Sequence, residues 1–127
     1  MANELILIVE DNEKNRKLAR DVLQFKGYRT IEAETGELGV ALALEHKPDL
    51  ILMDYHLPGI DGIEAFRRIR NASDTAHISI MAVTASAMPE EAQKMKEAGF
   101  DGFQTKPINV KEFMQAVAAA LAEKVAK

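Results

Sequence analysis

The chain has 127 residues, a formal net charge of −4 and no cysteine. This length suits one domain and is too short for two ordinary ones. The lack of cysteine excludes a disulfide framework and a thiolate metal site, and the negative charge argues against non-specific binding to nucleic acid. Because no apolar run reaches the length of a membrane span and the first residues lack the basic start of a signal peptide, we expect a cytoplasmic protein.

Short apolar runs alternate with helix-like patterns along the chain. The predicted strands cover residues 5–9, 28–33, 50–53, 78–83 and 100–103. Side chains that suit helix starts lie between them, namely Asn12, Thr35, Asp61, Pro89 and Asn109. Asp61 with Glu64 three residues later resembles a capping box. Five such alternations predict an α/β protein with a doubly wound, open parallel sheet of the flavodoxin-like (βα)5 type, strand order 2-1-3-4-5.

Apolar residues at helical spacing predict which face of each helix points towards the sheet. One face of the first helix carries Leu18, Val22 and Phe25, and the pattern of the second contains Leu38, Ala41, Leu42 and Glu45. The inward residues expected in the later helices are Ile63, Phe66 and Ile69; Ala92 and Met95; Phe113, Val117 and Leu121.

The central run, residues 50–53, ends in a single carboxylate, Asp54. Four large aliphatic residues in a row are typical of a strand buried on both faces, and ligands bind at the carboxyl ends of such strands. Asp54 is therefore a candidate for chemistry, although aspartate also caps turns. The first strand repeats the pattern, since it ends in Glu10 and Asp11.

These acids are expected to meet, because strands one and three are neighbours in the predicted order and neighbouring strands lie about 4.8 Å apart. Three carboxylates at one edge repel one another unless a cation neutralises them. Oxygen ligands of this kind suit Mg²⁺. The alternative is an acidic edge satisfied by the helix N-terminus that follows Asn12.

Strands four and five bring further polar groups to the same edge. Thr84 follows the fourth strand, where its hydroxyl can serve the site or simply a turn. Lys106 follows the fifth strand, where its ammonium can pair with Asp54 and bind phosphate as a point charge, although most lysines are only solvated.

Five motifs in this order and spacing carry a resemblance. They are Ile8-Val9-Glu10-Asp11-Asn12, Leu52-Met53-Asp54, Leu57-Pro58-Gly59-Ile60-Asp61-Gly62, Val83-Thr84-Ala85 and Lys106-Pro107. With them the whole chain resembles the receiver domain of bacterial two-component response regulators. It is most similar to the stand-alone receivers of the cell-division and cell-polarity type.

The resemblance implies a role for each acid. Asp54 matches the aspartate that accepts a phosphoryl group from a phosphohistidine. Asp11 and Asp54 match direct ligands of Mg²⁺, together with the backbone carbonyl of His56. Glu10 matches a second acid that acts on the metal through water.

The resemblance also implies a switch. Thr84 matches a hydroxyl that moves onto the phosphoryl group, Lys106 a lysine that pairs with it, and Phe103 an aromatic side chain that turns inward. Phe103 lacks the hydroxyl of the tyrosine that many members carry. His56 and Ser86 occupy variable positions that affect the lifetime of the phosphorylated state, in a direction that the sequence leaves open.

At the level of the whole chain, the resemblance implies a single receiver spanning residues 1–127 without an output domain. It would signal through protein contacts and catalyse only its own phosphorylation and dephosphorylation. The implied partners are a sensor histidine kinase or histidine phosphotransfer protein and a downstream target protein. The resemblance implies no DNA binding of its own, no membrane association, and a monomer or a phosphorylation-dependent dimer.

Two other functions suit the same fold. A Mg²⁺-dependent aspartyl phosphatase or phosphotransferase would use the same acids, but its loops should form a substrate pocket. A flavin-binding electron carrier would need a phosphate-binding loop after the first strand, where Glu10 and Asp11 would repel phosphate.

Overall fold

Five parallel strands form one open sheet in the order β2-β1-β3-β4-β5. The computed structural model describes residues 4–55, 57, 59–84, 89–105 and 109–126. The strands are β1 Leu5–Val9, β2 Arg29–Ala33, β3 Leu50–Asp54, β4 Ser79–Thr84 and β5 Gly102–Thr105, and the helices are α1 Glu13–Phe25, α2 Gly36–His46, α3 Gly62–Asn71, α4 Pro89–Ala98 and α5 Val110–Ala126. The predicted doubly wound fold and strand order are confirmed.

Two hydrophobic cores cover the two faces of the sheet. Successive residues of a strand point to opposite faces, so Ile6 packs with α1 and α5, while Leu7 packs with α2 and α3. The central strand β3 is buried along its whole length. Within the residues described, no helix is both long enough and apolar enough to cross a membrane.

The predicted inward face of α1 was wrong. Leu18 is 38% exposed and Phe25 is 85% exposed, whereas Ala19 and Leu23 are buried against the sheet. Val22 is only partly buried at the edge of this contact. The small Ala19 side chain allows close packing on the sheet, and a search for large apolar residues overlooked it.

Of the residues predicted for α2, only Leu42 packs against the core, where it is partly buried, because small residues make most of the contact. Leu38, Ala41 and Glu45 are exposed, and the helix is buried through Gly36, Gly39 and Ala43. A Cβ atom on Gly39 would lie 2.8 Å from Cγ2 of Val9. Glycine therefore lets this helix approach β1 closely.

The remaining inward residues mostly follow the prediction. Phe66, Ile69, Met95, Phe113, Val117 and Leu121 are buried, and Ile63 is half-buried. The side chain of Ala92 lies outside the described part of the chain.

Four predicted helix caps are confirmed by hydrogen bonds from backbone N–H groups to cap side chains. The acceptors are Asn12, Thr35, Asp61 and Asn109, at 3.0, 3.1, 2.9 and 3.1 Å. The fifth predicted start, Pro89, is the first residue of α4. The predicted capping box forms only in part, since the Glu64 carboxylate pairs with Arg67 and Arg68.

Strand ends lie later than predicted at the edge that carries the acids. β3 includes Asp54, β4 includes Thr84, and β5 begins at Gly102 rather than at Phe100. Asp54 and Thr84 therefore belong to the strands themselves, whereas Glu10 and Asp11 follow the end of β1.

Candidate metal centre

Three carboxylates converge at the carboxyl ends of β1 and β3. One oxygen each from Glu10, Asp11 and Asp54 can be chosen so that all three lie within 4.8 Å of one another. Glu10 is 5% exposed and Asp54 is 3% exposed, while Asp11 is open to solvent. Like charges this close and this buried favour a cation between them. The predicted meeting of the three acids is confirmed.

The strand register explains this convergence. Val9 of β1 pairs with Met53 of β3. The residues that follow them, Glu10 and Asp54, therefore lie side by side at this edge of the sheet. Asp54 in turn pairs with Val83 of β4, and the next amide, Tyr55 N–H, donates to the Val83 carbonyl at 2.9 Å. The Asp54 backbone is thus held between two neighbouring strands.

Glu10 is held at three points. Its N–H donates to the Ala33 carbonyl at 3.0 Å, and its own carbonyl accepts from Arg16 at 3.0 Å. One oxygen of its side chain accepts from the Asn12 N–H at 3.1 Å. The start of α1 therefore stabilises the Glu10 carboxylate, as expected if the helix N-terminus satisfies the acids. This contact does not compete with a metal, because it involves only one of the two carboxylate oxygens.

Arg16 also belongs to this site, although it was not among the residues predicted from the sequence. Its guanidinium group reaches the Glu10 carbonyl and also pairs with Glu32 at 3.2 Å and Glu34 at 3.4 Å. The signal was available in the helix spacing, since Arg16 precedes the buried Ala19 and Leu23 by three and seven residues and so shares their face of α1.

The loop after β3 folds back against the strand end. The Gly62 N–H donates to the Tyr55 carbonyl at 3.1 Å. A Cβ atom on Gly62 would lie 2.5 Å from the backbone oxygen of Asp54. Only glycine fits this approach, so the start of α3 lies directly against the residue that carries the central carboxylate.

Thr84 is fully buried at the end of β4. It lies one residue beyond Val83, which is the register partner of Asp54. Its own partner on β5 is Thr105, the residue before Lys106. Lys106, His56, Ser86 and the side chain of Phe103 lie outside the described residues, so their predicted roles stay predictions.

Two cavities large enough for a small molecule lie away from the acids. One of about 250 Å³ is lined by residues of α3 and the end of α4. Another of about 390 Å³ lies between the end of α1 and α5, with Tyr28 and Met114 in its wall. Neither includes Glu10, Asp11 or Asp54.

An open (βα)5 sheet with an acidic, metal-competent cluster at its switch point defines a class of proteins. It is the class of flavodoxin-like α/β proteins, whose ligands bind at this edge, and the carboxylate oxygens found there suit Mg²⁺.

Comparison with known proteins narrows the class. Residues 6–118 match the family described as response regulator receiver domain, and the chain belongs to this family. The polar-differentiation response regulator DivK of Brucella anthropi is 39% identical over 118 residues, which cover 93% of this chain and 96% of that protein.

Solved structures agree. The receiver domain of a sensor histidine kinase from Pseudomonas aeruginosa, with a magnesium ion coordinated in its active site cleft, has a TM-score of 0.89 and 31% identity, covering 95% of this chain and 99% of that one. A CheY-like response regulator receiver domain protein from Methanospirillum hungatei has a TM-score of 0.90 and 26% identity, covering 98% of both chains.

The family sets the general function. The chain is a receiver of two-component signalling, a switch that responds to phosphorylation, and receivers of this kind interact with histidine kinases and downstream targets. The predicted Mg²⁺ cofactor is confirmed by the acidic cluster taken together with the magnesium-bound relative.

Proposed function

We propose that Asp54 accepts a phosphoryl group from a phosphohistidine on a partner protein. The convergence of Glu10, Asp11 and Asp54 within 4.8 Å carries this proposal. Asp54 is the member of the cluster that ends the central strand β3, which lies between β1 and β4, and it pairs with Val83 of β4. It is therefore the most rigidly placed carboxylate at the edge where ligands bind.

The reaction is a displacement at phosphorus. A carboxylate oxygen of Asp54 forms a bond to the phosphorus atom while the N–P bond of the phosphohistidine breaks, and the bonding electrons stay with the departing imidazole. The product is an acyl phosphate on Asp54. Its hydrolysis by water returns the free carboxylate, so the chain catalyses only its own phosphorylation and dephosphorylation.

Asp11, Asp54 and the backbone carbonyl of His56 would hold Mg²⁺ directly, and Glu10 would act through water. When bound, this cation neutralises negative charge on the phosphoryl oxygens. The contacts at Glu10 support the indirect role, since Asn12 already donates to one of its side-chain oxygens. Exposed Asp11 is accessible to a hydrated cation from solvent.

The signal would pass through Thr84, Lys106 and Phe103. Thr84 is fully buried and directly follows Val83, the register partner of Asp54, and its hydroxyl would move onto the phosphoryl group. Lys106 would pair with the phosphoryl group, and the Phe103 side chain would turn inward behind Thr84. A new doubly charged group with strong acceptor oxygens supplies the free energy for this change.

We also propose that residues 1–127 form one receiver domain. The matching length of the DivK relative, of which 96% is covered, supports this arrangement. Output would then depend on contact with a downstream target, with phosphorylation by a sensor histidine kinase or a histidine phosphotransfer protein in the cytoplasm. The free chain would be a monomer or a phosphorylation-dependent dimer.

The two alternative functions have simple tests. Turnover of a small phosphate ester by the purified protein would favour a metabolic phosphatase. A coloured, flavin-loaded protein would favour an electron carrier, against which the carboxylates after β1 argue.

The proposal is tested by incubation with acetyl phosphate and Mg²⁺ followed by intact mass spectrometry. The wild type should gain one phosphoryl group, and Asp54→Asn should gain none. Asp61→Asn is the matched control, because it makes the same change seven residues away while asparagine keeps the α3 cap. It should be labelled as the wild type is. Labelling that persists in Asp54→Asn would assign the acceptor to another residue.

A further inference from the structure

We propose that Arg16 is a positioning residue for the metal centre, and this inference rests on the proposed function. Its guanidinium group fixes the peptide between Glu10 and Asp11, so that the Asp11 carboxylate is directed into the cluster. Arg16 does not contact the phosphoryl group in this proposal. It acts through the backbone of the residues that do the chemistry.

The key contact is a hydrogen bond from Nη1 of Arg16 to the Glu10 carbonyl, at 3.0 Å. That carbonyl belongs to the peptide that joins Glu10 to Asp11, and a peptide is a rigid plane. Holding its oxygen therefore sets the direction in which the chain enters Asp11. The N–H of Glu10 is held by the Ala33 carbonyl at 3.0 Å, so this turn is fixed from both sides.

The rest of the guanidinium group is anchored on the end of β2. Nε lies 3.2 Å from Glu32 and Nη2 lies 3.4 Å from Glu34, and the Arg16 side chain is only 13% exposed. This arrangement uses three nitrogens of one planar group in three directions, which a lysine ammonium cannot reproduce. The two carboxylates also offset the positive charge of Arg16 beside a site that must accept a second cation.

A role through charge and a role through positioning predict opposite changes in Mg²⁺ affinity when Arg16 is removed. If Arg16 acted only through its charge, its removal would take a cation away from the metal centre and Mg²⁺ would bind more tightly. If Arg16 positions the turn, its removal frees the peptide before Asp11 and Mg²⁺ binds more weakly. The direction of the change therefore distinguishes the two roles.

The experiment titrates the full chain with Mg²⁺ alone and follows binding by isothermal titration calorimetry. Arg16→Gln and Arg16→Lys should each weaken Mg²⁺ affinity about tenfold, the lower end of what loss of a supporting partner costs in metal sites. Because lysine keeps the positive charge, weaker Mg²⁺ binding in Arg16→Lys would be due to the lost hydrogen-bond geometry and not to a change in charge. Labelling of both variants by acetyl phosphate should return to the wild-type extent at saturating Mg²⁺.

Arg20→Gln is the matched control. Arg20 lies on the same helix and pairs with Glu32 at 3.6 Å and Asp21 at 3.3 Å, which leaves the Glu10 carbonyl untouched. This variant should bind Mg²⁺ as tightly as the wild type or more tightly. Urea titrations at the same temperature show that each variant is folded during the measurement.

The possible results test the positioning role of Arg16 and the metal centre separately. Unchanged or tighter binding in Arg16→Gln overturns the positioning role while the metal centre stands. Equal weakening in Arg20→Gln and Arg16→Gln overturns it as well, because a general effect of α1 would then explain both. A wild type that does not bind Mg²⁺ overturns the proposed function, and the role of Arg16 with it.

Discussion

Gly62 lies so close to Asp54 that a Cβ atom would sit 2.5 Å from the Asp54 backbone oxygen and 2.9 Å from Cα of Tyr55. The start of α3 and the end of β3 are therefore in contact through bare backbone. Any side chain at position 62 must push the helix away from the central strand or move the strand end that carries the carboxylate.

We expect Gly62→Ala to lower the free energy of unfolding by about 1–3 kcal/mol, the usual cost of an extra carbon atom in a packed site. Urea unfolding measures this change. Gly102→Ala is the control, since its Cβ would meet only Cγ of Met81, at 3.9 Å, and we expect a much smaller loss. If both variants lose the same free energy of unfolding, the close contact between Gly62 and Asp54 does not restrict the side chain at position 62.

Arg70 joins three elements at the opposite end of the sheet. It donates to the carbonyls of Ala76 and Ile78 and pairs with Asp101 at 2.6 Å, while its guanidinium lies 5.0 Å from the centre of the Phe66 ring. The same Asp101 oxygen accepts the Ile80 N–H at 2.8 Å. This network ties the end of α3 to the starts of β4 and β5.

Arg70→Ala should therefore destabilise the fold by about 2–4 kcal/mol, because it leaves two carbonyls and a carboxylate without their charged donor. The control is Arg68→Ala, which loses only an exposed pair with Glu64 and should cost no more than about 1 kcal/mol. Chemical denaturation measures the free energy of unfolding of both variants. If Arg70→Ala loses no more stability than Arg68→Ala, Arg70 does not link α3 to β4 and β5 as described.

The same network explains why the start of β5 was misplaced in the sequence analysis. Phe100 stacks on Phe66 with 4.3 Å between ring centres, and the Asp101 carboxylate is engaged by Arg70 and Ile80. These two residues form the turn into the strand, so β5 begins at Gly102. Contacts between residues distant in sequence set this boundary, and local pattern cannot show them.

Local features were predictable for a physical reason. The cap of Asn12 and that of Asp61 depend on one side chain and a backbone N–H three residues later, which the sequence displays directly. The meeting of Glu10 with Asp54 followed from strand order, since both end buried apolar runs. The buried face of α1 was missed because it centres on the small Ala19 together with Leu23, and that of α2 because Gly39 makes the close contact.

Tyr28 gives the chain a specific sensitivity to alkali. Burial, and then the negative charge of Glu4, raise the pKa of Tyr28 above its ordinary value of 10.0. The folded state thus holds the phenol proton more tightly than the unfolded state does. The stability that results is fully present below pH 10.0 and is lost as the pH rises through the folded-state pKa.

Tyr28→Phe removes this ionisation, so its melting temperature should fall less steeply than that of the wild type above about pH 10. Thermal melts at intervals from neutral to alkaline pH measure the difference between the two proteins. Tyr55→Phe, which leaves Tyr28 in place, serves as the control and should follow the wild type. Parallel curves for the wild type and Tyr28→Phe would contradict the assignment.

Thr84 should separate phosphorylation from its consequence. Thr84→Ala keeps the three carboxylates of the cluster, so acetyl phosphate should label it as it labels the wild type. Without the hydroxyl, the change that labelling produces in α4 and β5 should be lost. Amide hydrogen exchange before and after labelling reports this change. Thr84→Ser keeps the hydroxyl and should keep the response, and a full response in Thr84→Ala would remove Thr84 from the switch.

Asp11 is the acid of the cluster that is open to solvent, and its removal should act on the metal and spare the fold. Asp11→Asn takes one negative charge and one charged ligand from the site, and Mg²⁺ affinity should fall by at least tenfold. Labelling by acetyl phosphate should then no longer respond to Mg²⁺ over the range that saturates the wild type. Glu13→Gln, on the exposed first turn of α1, is the matched control and should keep the wild-type response. An unchanged metal response in Asp11→Asn would take Asp11 out of the ligand set and leave the cluster to Glu10 and Asp54.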